Sequence, residues 1–272
     1  MSNEETGKSL IRVDKVEAKG KTISISFSNG ETLSCGPDSY SEFRLYEGKE
    51  INSIEFKRIK DYARMEKLYS YALGLIASRM RSKKEIRDKL KTQGADLETI
   101  RKIIFRLEKQ GLLDDKEFAK TYCEEASQYK GLGKLAILAK LKELGISEEI
   151  LKYLSFPEET ELANAIRCVE GCNRRYANSP DKKKKQQCRI YLHRQGFEDH
   201  IVEEALENAY ESPEEESESA LLDKALDHAI AHYGKKYKGY ELRKRVLGSL
   251  AMKGYDYEDI RSKMEERLDV YQ

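Results

Sequence analysis

At 272 residues, with 36% charged and 39% hydrophobic side chains, the chain has room for two domains or one elongated repeat array, but little material for a single large core. A net charge of +1 argues against a uniformly basic nucleic-acid binder. No apolar run of about 18 residues exists to span a membrane. The near-neutral mean hides segregation: residues 79–91 carry seven Lys/Arg against two acids, 182–194 carry six against none, and 203–218 carry eight Glu with no Lys or Arg.

In chain order, the opening MSNEETGKS has no apolar stretch of the kind that begins a secretory signal, so the expected location is the cytoplasm. Residues 22–35, TISISFSNGETLSC, alternate with period two: Ile23, Ile25 and Phe27 on one face, Ser24, Ser26 and Ser28 on the other. Asn29-Gly30 is suited to supply the positive-φ pair of a type I′ turn, and Leu33 and Cys35 resume the pattern, which predicts a hairpin. Residues 10–16 and 43–54 hold further short apolar patterns. Together they predict a three- to five-stranded N-terminal β module over residues 1–60, one face of which must be covered, for instance by the first helices.

From about Asp61 a helical period takes over, interrupted only at Pro157, Pro180 and Pro213, where a helix would start or a linker would run. ESPEEESES (211–219) reads as an acidic linker whose charge favours the following helix N-terminus. Within this half lies a repeat. Gly94 has counterparts at Gly145, Gly196 and Gly254. Four residues before each is a leucine (Leu90, Leu141, Leu192, Leu250), eight before an apolar residue (Ile86, Ile137, Cys188, Val246), and eleven before a cation (Lys83, Lys134, Lys185, Arg243). Positions −8 and −4 form a buried stripe, while −11 lies off it, where a long cation can reach solvent or a partner. The glycine stops the helix in the left-handed conformation. Asp96, Ser147, Glu198 and Asp256 then open the next helix, Asp and Ser being good caps. The leading helix of each unit is expected at 62–79, 115–130, 158–176 and 216–235. The fold class predicted is mainly α: four tandem three-helix repeats in an elongated array (61–110, 111–155, 156–210, and 211–272 including the acidic linker) after the β module.

Ser82 and Glu85 have capping-box spacing, and Lys83, Arg87 and Lys91 line one exposed edge of the helix they open. Cations recur at Lys182, Lys183, Lys185 and Arg189 in the third unit and at Arg243, Lys244 and Arg245 in the fourth. A single such face is ordinarily just solvated. Its recurrence along an array suits a long polyanion or an acidic groove. The 17 tyrosines are rings that can stack on bases, although such rings more often pack with the hydroxyl in water.

Catalytic and metal chemistry find little support. There is no phosphate-binding loop, dinucleotide fingerprint or nucleophile elbow. Asp114-Asp115 read as a cap at a helix start. Five cysteines do not form a disulfide framework. Cys168 and Cys172, four apart, read as packing residues, and His228 with His232 lack further ligands for zinc. No cofactor and no enzymatic activity are expected.

SRMRSKKEIRDKLKTQG (78–94), RLEKQGLLDDKEFAKTY (106–122) and KGLGKLAILAKLKELGI (130–146) together resemble the RecX regulators of bacterial RecA recombinase. The resemblance rests on Arg79, Arg81, Ser82, Glu85, Leu90 and Gly94, then on Gly111, Leu113, Asp114, Asp115, Phe118 and Ala119. It is close over about 65 residues, and beyond them only the repeat pattern extends it. It implies a non-enzymatic modulator that binds RecA in the helical groove of its filament on single-stranded DNA and restrains ATPase, strand-exchange and coprotease activity. The contact candidates are Arg79, Arg81, Lys83, Lys84, Arg87, Lys91, Lys134, Lys182, Lys183, Lys185, Arg189, Arg243, Lys244 and Arg245. Family members usually place several cations around 135–138. Here Leu135, Ala136, Ile137 and Leu138 stand there, leaving Lys134 alone, so the second unit is expected to contribute packing more than ionic contact. A monomer is expected, with direct contact to DNA an open part of this reading. Two alternatives remain at this point. One is a sequence-independent DNA-binding repeat protein acting without RecA; the other is a helical protein–protein scaffold whose charges only solubilise it.

Overall fold

The structure, a computed structural model, describes residues 10–20 and 22–268. Strands β1 (Ile11–Lys19), β2 (Thr22–Phe27), β3 (Thr32–Cys35) and β4 (Glu50–Ile51) form one antiparallel sheet in the order β3-β2-β1-β4. The period-two pattern turns Ile25 and Phe27 inward, where they are buried with Val13, Cys35, Leu45 and Ile51. The hairpin is where the sequence placed it, but its turn differs. Ser26 pairs with Thr32, the Gly30 N–H donates to the Phe27 carbonyl, and Gly30 alone of the turn has positive φ, at 82°. Ser28, Asn29 and Gly30 thus make a three-residue loop, a type I turn closed by a left-handed glycine, rather than a type I′ pair. The Asn29 carboxamide accepts the Glu31 N–H (3.0 Å) and supports it.

A short helix not expected from the sequence, α1 (Pro37–Glu42), follows the hairpin. Its free N–H groups are met from outside the segment: the Glu66 carboxylate accepts from the N–H of Gly36, Asp38 and Ser39 and from the Ser39 hydroxyl. Glu66 stands on α2 (Ser53–Ser78), capped by Asn52, whose side chain accepts the Glu55 N–H (2.8 Å). The boundary expected at residue 60 falls inside this helix. Its first half lays Phe56, Ile59 and Ala63 on the sheet, so it covers the open β face. Its second half supplies Leu68, Tyr69 and Ala72 to the next core.

That core is completed by α3 (Lys83–Thr92) and α4 (Leu97–Lys109) through Ile86, Leu90, Ile100, Ile103 and Leu107. Next come α5 (Asp115–Gln128), α6 (Lys134–Glu143) and α7 (Glu148–Leu151). Helices α8 (Glu158–Arg175), α9 (Asp181–Gln195) and α10 (Asp199–Ala209) enclose Val169, Cys172, Cys188, Leu192, Phe197 and Ile201. Helices α11 (Glu215–Tyr233), α12 (Gly239–Met252) and α13 (Tyr257–Leu268) enclose Leu222, Leu226, Val246, Leu250 and Ile260. The described residues divide into two compact units: the chain up to Phe118 with Leu144–Ile146, and Ala119–Glu143 with the chain from Ser147 onward. Among the described residues no helix is long and apolar enough to cross a membrane.

The repeat offsets have the structural meaning they were given. All eight residues at −8 and −4 (Ile86, Leu90, Ile137, Leu141, Cys188, Leu192, Val246 and Leu250) are fully buried. Gly94, Gly145, Gly196 and Gly254 have φ of 76°, 84°, 89° and 95°. In three of the units the residue after the glycine donates its N–H back to the −4 carbonyl: Ala95 to Leu90, Phe197 to Leu192 and Tyr255 to Leu250. This is the bond that closes a left-handed helix stop.

Candidate functional site

The middle helix of each unit carries the candidate surface, and its N-terminus is where the chain departs from simple expectation. The first N–H of a helix has no partner of its own. Here it is met from the following unit each time: Lys83 N–H donates to Asp115 Oδ1 (2.8 Å), Lys134 N–H to Glu161 Oε1 (2.6 Å) and Asp181 N–H to Glu218 Oε1 (3.0 Å). Each acceptor sits in the first turn of the next leading helix, α5, α8 or α11. Asp114 caps its own helix as expected, accepting the Lys116 N–H (2.7 Å). Asp115 does not: it caps α3. The acidic segment around Glu218 likewise serves α9 as well as its own helix. Irregular linkers hid this, because the three carboxylates lie at unequal distances from the repeat glycines.

The repeat glycine of the following unit seats against the same helix end. A Cβ on Gly145 would lie 2.7 Å from Lys84 Cβ, one on Gly254 would lie 2.8 Å from Lys183 Cβ, and one on Gly196 would lie 2.2 Å from the Ala136 nitrogen. Gly94, with no such helix before it, meets only Arg64 Nη2 at 3.6 Å. The joint is closed by hydrogen bonds: Ser82 Oγ donates to the Leu144 carbonyl (2.7 Å), and in the next unit Gly133 N–H donates to the Gln195 carbonyl (2.9 Å). The Ser82–Glu85 capping box is present, so Ser82 holds its own helix and the joint together.

Burial pushes the carboxyls of both Asp115 and Glu161 above their usual range, although each accepts a backbone N–H that acts the other way. A carboxyl raised in the native state binds more protons there than in the unfolded chain, so its contribution to stability falls as pH rises above the unfolded value. Glu161→Gln keeps an acceptor for Lys134 and removes the titration. Relative to the parent it is expected to gain stability as pH rises from the usual glutamate value of 4.5 toward neutrality. Urea midpoints across that range test this; a parent–variant difference that is flat with pH contradicts it.

The candidate cations fall into two groups. Many are engaged within the fold. Arg79 and Arg81 pair with Glu85, Arg81 also donating to the Leu75 carbonyl (3.0 Å). Lys83 pairs with Glu108, which raises its pKa, and Lys134 pairs with Glu198 (3.0 Å). Arg189 makes a bidentate pair with Glu203. Lys185 and Arg245 lie over the rings of Tyr210 and Tyr237. Lys84 and Lys183 lend their stems to the joints, and Arg243 is also partnered. Lys184, within the run of four lysines, is buried and donates to the Glu211 carbonyl (2.5 Å). The −11 cation therefore has an internal carboxylate in the first two units. Among the described residues Arg87, Lys91, Lys182 and Lys244 are exposed and pair with no carboxylate. Also among the described residues, no cluster of three or more His, Cys, Asp or Glu is placed to hold a metal ion.

Family models for the first and second three-helix domains of RecX match residues 69–107 and 114–152. Regulatory protein RecX of Streptococcus sanguinis is 29% identical over 260 residues, covering 95% of this chain and all of that protein. Over nearly its whole length the chain is similar to the RecX family. Regulatory protein RecX of Streptococcus gordonii is likewise 29% identical, over 94% of this chain and 99% of its own. A crystal structure of regulatory protein RecX aligns with a TM-score of 0.59 at 25% identity, over 71% of this chain and 98% of that one. These RecX relatives bear the name of regulatory proteins, not of enzymes. The two matched RecX domains contain both sides of the α3 joint but only the α6 side of the next, whose Glu161 and Gly196 lie beyond them. The α8–α13 helices lie beyond both domain models but within the reach of the full-length RecX relatives.

Proposed function

We propose that this chain is a RecX-family, non-enzymatic regulator of RecA recombinase that acts in the cytoplasm. It binds in the groove of the RecA–DNA filament and restrains ATPase, strand exchange and coprotease activity. The observation that carries this reading is the match over 95% of the chain to proteins named regulators. Two features of the fold support it. Within each compact unit, backbone caps and glycine seats fix the starts of the middle helices that carry the candidate cations. On those helices Arg87, Lys91, Lys182 and Lys244 are exposed without an internal carboxylate and so lose no intramolecular pair on meeting an acidic groove.

Titration into a RecA–single-stranded-DNA ATPase assay is the direct test. Hydrolysis is expected to fall and level off, and an unchanged rate at saturating protein overturns the reading. Arg87→Glu with Lys91→Glu separates contact from packing. Both side chains are exposed, so unfolding free energy is expected to stay within about 0.5 kcal/mol per site. Loss of the two contacts, at about 1.4 kcal/mol together, is expected to weaken inhibition by roughly tenfold. Lys83 is left out of this variant because its pair with Glu108 would confuse stability with contact.

A further inference from the structure

A cleft opens between the turn after α5, helix α8 and helix α9. Three cations line it, Lys130, Arg167 and Arg175, and no carboxylate does. None of the three belongs to the repeated −11 series or to the middle-helix edges. Two of them are held in place. Asn164, nearly fully buried, donates from Nδ2 to the Ser127 carbonyl (3.0 Å) and accepts the Arg167 guanidinium on Oδ1. The Arg175 guanidinium lies 5.2 Å from the centre of the Tyr191 ring, against which Arg194 also stacks, at 5.6 Å. Fixed guanidinia lose less side-chain freedom on binding an anion.

The floor of the cleft is a glycine that the backbone does not call for. Gly171 lies inside α8, where glycine costs about 1 kcal/mol relative to alanine. A Cβ there would meet nothing within 4 Å, so no close packing demands its absence. Its effect is to keep the space above the helix open. At the rim Tyr129 is 83% exposed, with its ring free for a flat partner.

Fixed guanidinia, an open floor and an exposed phenol fit a phosphodiester next to a planar base. We propose that this cleft binds single-stranded nucleic acid, with a backbone phosphate on Arg167 and Arg175, a neighbouring one near Lys130, and a base stacked on Tyr129. A duplex keeps its bases stacked on one another and offers Tyr129 none, so the single strand is the form selected. The proposal goes beyond the regulator reading and stands without it, because it concerns bare nucleic acid and no recombinase.

The test is fluorescence anisotropy of a labelled oligo-dT with the full chain, in the absence of RecA. Binding is expected to weaken with salt. Arg167→Ala with Arg175→Ala is expected to lower affinity at least tenfold and to flatten the salt slope by about 0.7 for the one phosphate lost. Tyr129→Ala is expected to lower affinity by about fivefold or more, as loss of a base–aromatic stack does. Gly171→Leu is expected to block the cleft, whereas Gly171→Ala is expected to raise thermal stability and leave binding within a few-fold. Circular dichroism confirms that each variant is folded; all four positions lie on an exposed or open surface. Equal affinity of the parent and the Arg167/Arg175 variant overturns the proposal. So does tighter binding of duplex than single strand, or displacement of oligo-dT by inorganic phosphate or polyglutamate at matched charge concentration; these would reveal a groove reader, a simple anion site or an acidic-protein site.

Discussion

Gly196→Ala is expected to destabilise the folded chain far more than Gly94→Ala, although the two residues hold the same place in the repeat and both have left-handed φ. Forcing a side chain into that backbone conformation costs about 1–2 kcal/mol, and Gly94→Ala incurs little else. At Gly196 the new Cβ would lie 2.2 Å from the Ala136 nitrogen and 2.8 Å from its Cα. These are backbone atoms at the start of a helix, which cannot turn aside as a side chain would. Overpacking of this kind adds about 1–3 kcal/mol, for a total of about 2–5. The seat also positions two hydrogen bonds, Gly133 N–H to the Gln195 carbonyl and Leu135 N–H to the Gly196 carbonyl, both 2.9 Å. Urea unfolding of the three proteins measures the difference. Equal losses at Gly94 and Gly196 would mean that the glycine is only a helix stop and not a seat.

Ser82→Ala is the second large effect expected. The hydroxyl accepts the Glu85 N–H (3.2 Å) and donates to the Leu144 carbonyl (2.7 Å), and the residue is fully buried. Removal of a serine cap costs about 1 kcal/mol. A carbonyl left without its donor costs about 1 kcal/mol more. The total of about 2 kcal/mol should appear as a lower unfolding free energy, with faster amide exchange at Glu85. A loss below about 0.5 kcal/mol would contradict the double role of this side chain. The neighbouring joint reaches the same end differently, with Gly133 in the equivalent place giving its backbone N–H. A serine is therefore required where the carbonyl is met by a hydroxyl, and a glycine where the two backbones touch.

Both effects arise from a motif that was half legible. The offsets −8, −4 and 0 identified the stripe and the stop, because helix geometry is local: 3.6 residues per turn place Ile86 with Leu90, and Cys188 with Leu192, on one face. The capping box at Ser82 was legible for the same reason, and so was the placement of the two hairpin strands, which follows from period-two burial. The turn type within the hairpin was not, since Asn29-Gly30 fits more than one loop and the loop length decides between them. Helix α1 was missed because its cap is Glu66, twenty-four residues beyond its last turn.

Among the candidate contacts, charge pattern alone could not separate Lys83 from Arg87. Both stand on the exposed edge of α3, but Lys83 reaches Glu108 on α4 and Arg87 pairs with no carboxylate among the described residues. The cleft over Gly171 carried no sequence signal at all, since a mid-helix glycine looks like a defect until the space above it is seen.

The sequence by itself determined the class of the fold, the phase of the repeated helices, the glycine stops and the family resemblance, because each depends on spacing within one or two turns. Only the tertiary structure decided which carboxylate caps which helix, which glycines are seats, and which cations remain to meet a partner. Those outcomes depend on contacts such as Lys83 with Glu108 and Gly254 with Lys183, 25 and 71 positions apart, across linkers of unequal length, where chain spacing no longer fixes position.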